Sequence, residues 1–381
     1  MKVYGLLTGK KKGYGYFQGD IDNLACLPQR KDDILSAYRH SIDDINERLL
    51  ALLNERAKTA QLIAQRKAEL GLPTFDPQRE SQMLEILAQN NQGPFSDNAI
   101  KGLFKEIFGA TRQLMDASRK ENLLVSRRHN QFNTVIDVNG VRLGEGAMAV
   151  IAGPCSVESE EQLEGIVAHL AQRGIKIIRG GAFKPRTSPY SFQGLGMPGV
   201  RMMRRIADKY GTAMVVEVME PGLVTEIAQY ADILQIGSRN MYNYPLLREI
   251  GHCSRPVLLK RHFGATLEEL LLSAEYILSE GNPQVILCER GIRTFEPATR
   301  STLDISALPV LRQETHLPLM ADVSHAAGRR DLIIPLAQAV QAAGAHALLV
   351  EVHSDPANAL SDSQQQLSLE EFDKLLAALG R

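Results

Sequence analysis

The stretch MAVIAGPCSVESEEQLEGIVAHLAQRGIKIIR, residues 148–179, decides how this chain is read. It opens on a short apolar run, Met148–Ala152, and closes on another, Ile175–Arg179, with an amphipathic helical pattern between them. Strands that are apolar throughout, joined by a helix, are the unit of a parallel sheet buried on both faces. The unit then repeats. Met214–Val218, Ile233–Ile236, Val257–Lys260, Val285–Cys288, Leu319–Val323 and Ala347–Val352 bring the runs to eight, each followed by a helical pattern, the sixth poorly marked. Eight such units in about 235 residues fit an α/β fold of the (β/α)8 TIM-barrel type. A doubly wound open sheet is the alternative, but no GxGxxG follows the first strand, which removes its main support.

Upstream of the first strand, Thr134–Val138 and Val141–Leu143 flank Asn139–Gly140, the preferred two-residue hairpin turn. Further upstream the period changes. Leu35, Ile42, Ile45, Leu49, Leu52, Leu53, Leu62 and Ile63 recur at helical spacing and predict one long helix from Ile34 to Ala68, ended by Gly71 and Pro73. A second helix is expected from Pro77 to Asn90. A third runs from Ser96, a good N-cap, to Arg119. The expected organisation is an extension of unknown role over 1–30, a three-helix all-α domain over 31–121, a linker over 122–133, and a barrel with an N-terminal β-hairpin over 134–381.

Composition narrows the function classes. The 381 residues carry a net charge of -1, so no global basic field points to nucleic acid or a membrane surface. Trp is absent and aromatics are 6%, so the core must be mainly aliphatic. No apolar run approaches the roughly 18 residues of a membrane span, and Met1–Phe17 lacks the apolar stretch of a secretory signal. Cys26, Cys155, Cys253 and Cys288 form no CxxC pair, so a reducing, cytoplasmic location is expected.

Barrel chemistry sits at the C-terminal ends of the strands. Two sets of residues fall there. Arg179, Lys184, Arg186, Arg239, Lys260 and Arg290 form a cationic set, tolerable around one cavity if anionic ligands occupy it; arginine suits bidentate capture of phosphate and carboxylate. Cys155, His325, Glu351 and Asp362 form a mixed S/N/O set suited to a divalent metal ion, with Mn, Fe, Co, Zn and Cd all admissible. Glu217 and Glu289 are the nearby carboxylates that could instead pair with the cations.

The segments GPCS (153–156), GGAFKPRTSPYSFQG (180–194), IGSRNM (236–241), LLKR (258–261), LCERGIRT (287–294), DVSHAAGRRD (322–331) and ALSDSQQQ (359–366) together resemble 3-deoxy-D-arabino-heptulosonate-7-phosphate (DAHP) synthase, in the barrel-dominated beta subgroup of the type I enzymes. The resemblance implies condensation of phosphoenolpyruvate with erythrose 4-phosphate, the first step of the shikimate pathway. It implies that Cys155, His325, Glu351 and Asp362 hold the metal, Mn foremost. Phosphoenolpyruvate would be held by Arg179, Lys184, Lys260, Arg290 and the Ser238–Arg239 segment, and erythrose 4-phosphate by Pro185, Arg186 and Thr187; Glu217 lines the same mouth. Lys184 is the candidate proton donor, with a metal-bound water as the alternative. Two positions depart from the family pattern: His262 stands where Gly is usual and Ser238 where Ala is usual. The Pro185–Arg186–Thr187 loop differs from the Ala-Asn-Arg typical of 3-deoxy-D-manno-octulosonate-8-phosphate synthase.

In the helical domain, Arg39, Arg56, Lys67, Asp76, Arg79 and Glu80 lie at spacings similar to the all-helical chorismate mutases. Arg56 and Lys67 are about three turns apart and share a face. Arg39 lies roughly 26 Å from Arg56 along the axis, too far for one small dicarboxylate to bridge within a helix. The resemblance implies that a partner chain supplies the first arginine, hence a homodimer through this domain, with a homotetramer expected. Thr111 and Met115 fall on the third helix, and Met115 stands where the family usually has Gln or Glu. Methionine is a poor hydrogen-bonding group. The domain therefore has two readings: a mutase turning chorismate into prephenate, or a regulatory module that binds either ligand for feedback inhibition with negligible mutase activity.

Overall fold

The computed structural model describes residues 31–70, 76–121, 123–184 and 190–381. The extension over 1–30, the helix stop at Gly71 and Pro73, and the loop residues Pro185, Arg186 and Thr187 lie outside the described residues. The chain divides into two compact units, Met1–Ala117 and Ser118–Arg381.

In the second unit, an antiparallel hairpin, β1 (Ile136–Val138) and β2 (Val141–Leu143), precedes eight parallel strands: β3 (Ala149–Gly153), β4 (Ile177–Arg179), β5 (Ala213–Glu217), β6 (Ile233–Ile236), β7 (Val257–Lys260), β8 (Val285–Glu289), β9 (Leu319–Asp322) and β10 (Ala347–Glu351). They close in chain order, with β10 pairing β3 from Ala347↔Ala149 to Glu351↔Gly153. The eight apolar runs are these strands, with bounds that agree to within two residues and coincide for Ile233–Ile236 and Val257–Lys260. They are apolar throughout because both faces are covered. Ile151, Ile177, Val215 and Leu349 fill the barrel interior, while Val150, Ile178, Met214 and Leu348 pack under the surrounding helices.

The hairpin closes the barrel floor. Asn139 and Gly140 both take positive φ, 53° and 73°, as a two-residue turn of this kind requires. Ile136, Val138 and Leu143 then join the interior cluster. The helix after β8 was poorly marked because it is short and late: Ala307–Glu314 begins only after a long irregular segment.

Residues within the expected linker are hydrogen-bonded to the barrel. The Glu275 carboxylate accepts from the backbone N–H of Leu124 (3.0 Å) and Val125 (2.9 Å), and the Thr315 hydroxyl donates to Val125 O at 2.6 Å. Glu275→Ala strands two N–H donors and is expected to cost about 1–3 kcal/mol, read as a Tm lower by roughly 3–10 °C in thermal denaturation. An unchanged Tm would contradict this role.

The helical unit contains α1 (Lys31–Glu69), α2 (Pro77–Gln89) and α3 (Asp97–Glu121). Asp76 caps α2, accepting from Arg79 N at 3.0 Å, and Ser96 accepts from Ala99 N as expected of an N-cap. Among the described residues this unit fully buries only Leu84, Ala88 and Phe108. Leu35, Tyr38, Ile42, Ile45, Leu49 and Leu52, spaced alternately three and four apart on α1, remain 47–63% exposed.

Candidate active site

Each side chain at the barrel mouth is placed by a strand end. Gly153 ends β3 so close to β4 that a Cβ would lie 1.9 Å from Arg179 O. Only glycine permits that approach, which delivers Cys155 to the mouth. Gly237, after β6, makes room for Glu217 in the same way: a Cβ there would meet Glu217 Oε1 at 2.0 Å. Asp322 ends β9, caps the following turn by accepting from His325 N at 3.0 Å, and accepts from His325 Nδ1 at 2.7 Å. Glu351 ends β10, and Asp362 lies in the irregular segment beyond it.

One thiol, one imidazole and two carboxylates thereby converge. Ligand atoms of Cys155, His325, Glu351 and Asp362 all lie within 4.8 Å of one another. With Nδ1 held by Asp322, the His325 ring presents Nε2 to the group, 3.5 Å from Glu351 and 3.8 Å from Asp362. Burial lowers the His325 pKa despite Asp322 and Glu351, favouring the neutral imidazole that metals require. Burial opposes the charge on both carboxyls, yet His325 and Arg179 hold Glu351 low, and Arg300 and His325 hold Asp362 low. Burial pushes the Cys155 thiol up to about 11, with Glu351 adding to the effect and Lys184 opposing it. The donor set and its second contacts fit a divalent cation of borderline softness.

The cations surround this group. Arg179 donates to Glu351 Oε1 at 2.9 Å and Pro154 O at 2.6 Å; Lys184 donates to Cys155 O at 2.9 Å and Cys155 Sγ at 3.0 Å; Lys260 donates to Asp322 at 2.6 Å. Arg290 donates to the Ser301 hydroxyl at 3.1 Å. Arg179, Lys184, Lys260 and Arg290 thus meet Glu351, Cys155, Asp322 and Ser301 rather than Glu217 or Glu289. Glu289 is taken by Arg261 at 2.8 Å and Gly291 N at 2.6 Å, and Glu217 lies 3.4 Å from Gln235 Nε2. Arg179, Lys184, Glu217, Ser238, Arg239, Lys260, Arg290, His325 and Asp362 all line one cavity of about 540 Å³. Among the described residues its lining carries seven Lys or Arg side chains against two carboxylates. His262 is not among them; its ring packs on Phe263 and Tyr242, with centroids 4.0 and 5.3 Å away.

In the helical unit, Arg56 donates to the Thr111 hydroxyl at 2.6 Å and lies over the Phe108 ring at 4.9 Å. Glu80 pairs with Arg112, which the sequence reading did not single out. Asp76 Oδ1 caps α2, accepting from Arg79 N at 3.0 Å. Met115 is half-buried on α3, Lys67 is half-buried on α1, and Arg39 is exposed far up α1.

Residues 128–380 match the DAHP synthetase I family, and residues 38–116 match chorismate mutase type II. This chain belongs to the DAHP synthetase I family. A relative from Thermotoga maritima, phospho-2-dehydro-3-deoxyheptonate aldolase, is 55% identical over 258 residues, which is 68% of this chain and 76% of that one. A crystal structure of a Thermotoga maritima DAHP synthase aligns with a TM-score of 0.66 at 53% identity, over 68% of this chain and 76% of that one. The 2-dehydro-3-deoxyphosphooctonate aldolase of Rhodopseudomonas palustris is more distant, at 30% identity over 264 residues, 64% of this chain and 91% of that one. By family and by its Thermotoga relative, the chain is a DAHP synthase, with a chorismate mutase type II domain ahead of the barrel.

Some residues of the DAHP synthase mouth escaped the sequence reading. Arg293 and Arg300 also line the cavity, and Arg300 donates to Asp362 at 3.0 Å and Gln365 at 2.8 Å. Both lie in the aperiodic segment after β8. The signal was the length of that segment on the catalytic face, where an unpatterned loop is a place to look for binding residues.

Proposed function

We propose that the barrel condenses phosphoenolpyruvate with erythrose 4-phosphate and water to give DAHP and phosphate, using a divalent ion held by Cys155, His325, Glu351 and Asp362. The observation that carries this reading is the convergence of that donor set with a cationic wall in one cavity. When bound, the ion supplies Lewis acidity for an aldehyde oxygen and a fixed reference for its carbon. The chain's residues do the rest. Arg179, Lys184, Lys260 and Arg290, all buried, grip the compact charged enolpyruvate. Arg239, Arg293 and Arg300, nearer the rim, offset charge on the second phosphate, with Pro185, Arg186 and Thr187 completing that subsite. Held this way, C3 of the enolpyruvate attacks the aldehyde carbon, water adds at C2, and the phosphate departs. Lys184, already a donor at Cys155, delivers a proton to the nascent alkoxide. Phosphate release that requires both substrates and stops on chelation supports this reading; full turnover in chelated buffer overturns it.

The helical domain is proposed to bind chorismate and prephenate through Arg39, Arg56, Lys67, Arg79 and Glu80, rearranging the first by conformational trapping and electrostatics. Contacts of Arg56 with Thr111 and of Glu80 with Arg112 hold both charges against α3, the helix that carries Met115. A second copy of the chain is the proposed partner of α1. Its exposed stripe alternates three and four apart, the period of a helix–helix seam. Leu49→Glu is expected to shift the oligomer toward lower mass in light scattering and to abolish chorismate consumption, since Arg39 would no longer arrive from the partner. The sensor role has its own test. Removing residues 1–121 leaves the Leu124–Val125 clasp intact, and prephenate inhibition should disappear while condensation persists.

A further inference from the structure

Asp362 is the member of the four-donor group that no strand or helix positions. It sits in an irregular segment at φ 48°, a conformation that costs a non-glycine residue energy and persists only where surroundings impose it. Two adjacent glutamines, Gln365 and Gln366, do the imposing. Gln366 is wholly buried; its Oε1 accepts from Cys155 N at 2.8 Å and its Nε2 donates to Ser361 O at 2.8 Å. One amide therefore joins the backbone of one ligand to the residue preceding another. Gln365 Nε2 donates to Glu351 Oε2 at 2.6 Å and to Asp362 Oδ2 at 3.3 Å, while its Oε1 accepts from Arg300. It places a donor between two carboxylates that would otherwise repel. The Ser156 and Ser361 hydroxyls, 2.6 Å apart, tie the same two segments together.

We propose that Gln365 and Gln366 are positioning residues that set the spacing of Cys155, Glu351 and Asp362 and thereby the affinity of the site for a divalent ion. The proposal rests on the metal reading above. Only a side chain with both a donor and an acceptor, and no charge, makes either bridge. Outer contacts of this kind govern metal affinity by holding the ligands in place.

The test is titration of Co²⁺ into the metal-free full-length chain, followed by the near-ultraviolet thiolate-to-cobalt charge-transfer band. Gln366→Leu is expected to weaken Co²⁺ binding about 10–100-fold and to diminish the band, because the Cys155 backbone is released. Gln365→Leu is expected to weaken binding to a similar extent and keep the band, because it touches only the carboxylates. Gln366→Glu keeps the volume and the acceptor toward Cys155 N, and turns the donor toward Ser361 O into a second acceptor. If Gln366→Leu does not fold, Gln366→Glu is expected to weaken Co²⁺ binding to a similar extent and keep the band, because the Cys155 backbone stays held and only the segment carrying Asp362 is released. Variants with lower Tm but wild-type affinity and band reduce the glutamines to structural filler and overturn the proposal. A wild-type chain that takes up no Co²⁺ overturns the metal reading itself, so the two failures are distinguishable.

Discussion

Cys155→Ala is expected to lose metal and turnover together, with kcat/KM falling about a thousandfold or more. A bound ion contributes several kcal/mol of transition-state stabilisation, and each 1.36 kcal/mol is a factor of ten. The thiol is buried among the other three donors, with Asp362 Oδ2 3.5 Å away and Lys184 Nζ 3.0 Å away. Alanine removes the softest donor and leaves Lys184 one partner short. Cys288→Ala is the control: that thiol is equally buried, lies in the barrel interior and is not in the donor group, so metal content and rate should stay near wild type. Metal analysis by mass spectrometry beside a phosphate-release assay reads both. Undiminished activity of Cys155→Ala in chelated buffer sinks the assignment.

Asp322→Ala carries the second large effect, on stability as well as rate. Asp322 is wholly buried and compensates two groups at once, Lys260 at 2.6 Å and the His325 ring at 2.7 Å. Breaking a buried pair by removing one partner costs about 3–5 kcal/mol because the other charge stays behind, which lowers Tm by roughly 10 °C in a chain of this size. Loss of the Nδ1 contact also frees the His325 ring, so metal affinity should fall about 10–100-fold. Burial opposes the Asp322 charge, but His325 and Lys260 prevail and hold its pKa well below the usual carboxylate value. Its contribution is therefore fully present above about pH 4, the unfolded-state value, and is lost as pH falls toward the native one. The Tm deficit of the variant should be flat from neutral pH down to about pH 5 and shrink in stronger acid. A deficit that grows on acidification contradicts the pairing.

The barrel was legible because burial on both faces leaves little choice of residue. An interior position such as Ile151 and an outward one such as Val150 must both be apolar, so the strand announces itself without partners. The sites were legible at strand ends for a related reason: Arg179, Asp322 and Glu351 interrupt apolar runs at their last residue. What was not legible depends on where irregular chain returns. Arg300 meets Asp362 only because the segment after β8 folds back over the mouth, and no period records that path. Asp76, singled out by spacing, also caps the helix beginning at Pro77. The anchoring of the linker was hidden for the same reason. Nothing in Leu123–Leu124–Val125 foretells that Glu275, some 150 residues away, accepts from two of its N–H groups.

The plugged floor makes the barrel a cup with a single door. Ile136, Val138 and Leu143 cap the lower end of an interior already filled by Ile151, Ile177, Val215 and Leu349, and the cavity opens at the rim where Arg239, Arg293 and Arg300 stand. Traffic through one opening is first in, last out. On the proposed seating, a guest against the buried Arg179 and Lys260 lies beneath one held by Arg239, Arg293 and Arg300, and is expected to enter first and leave last.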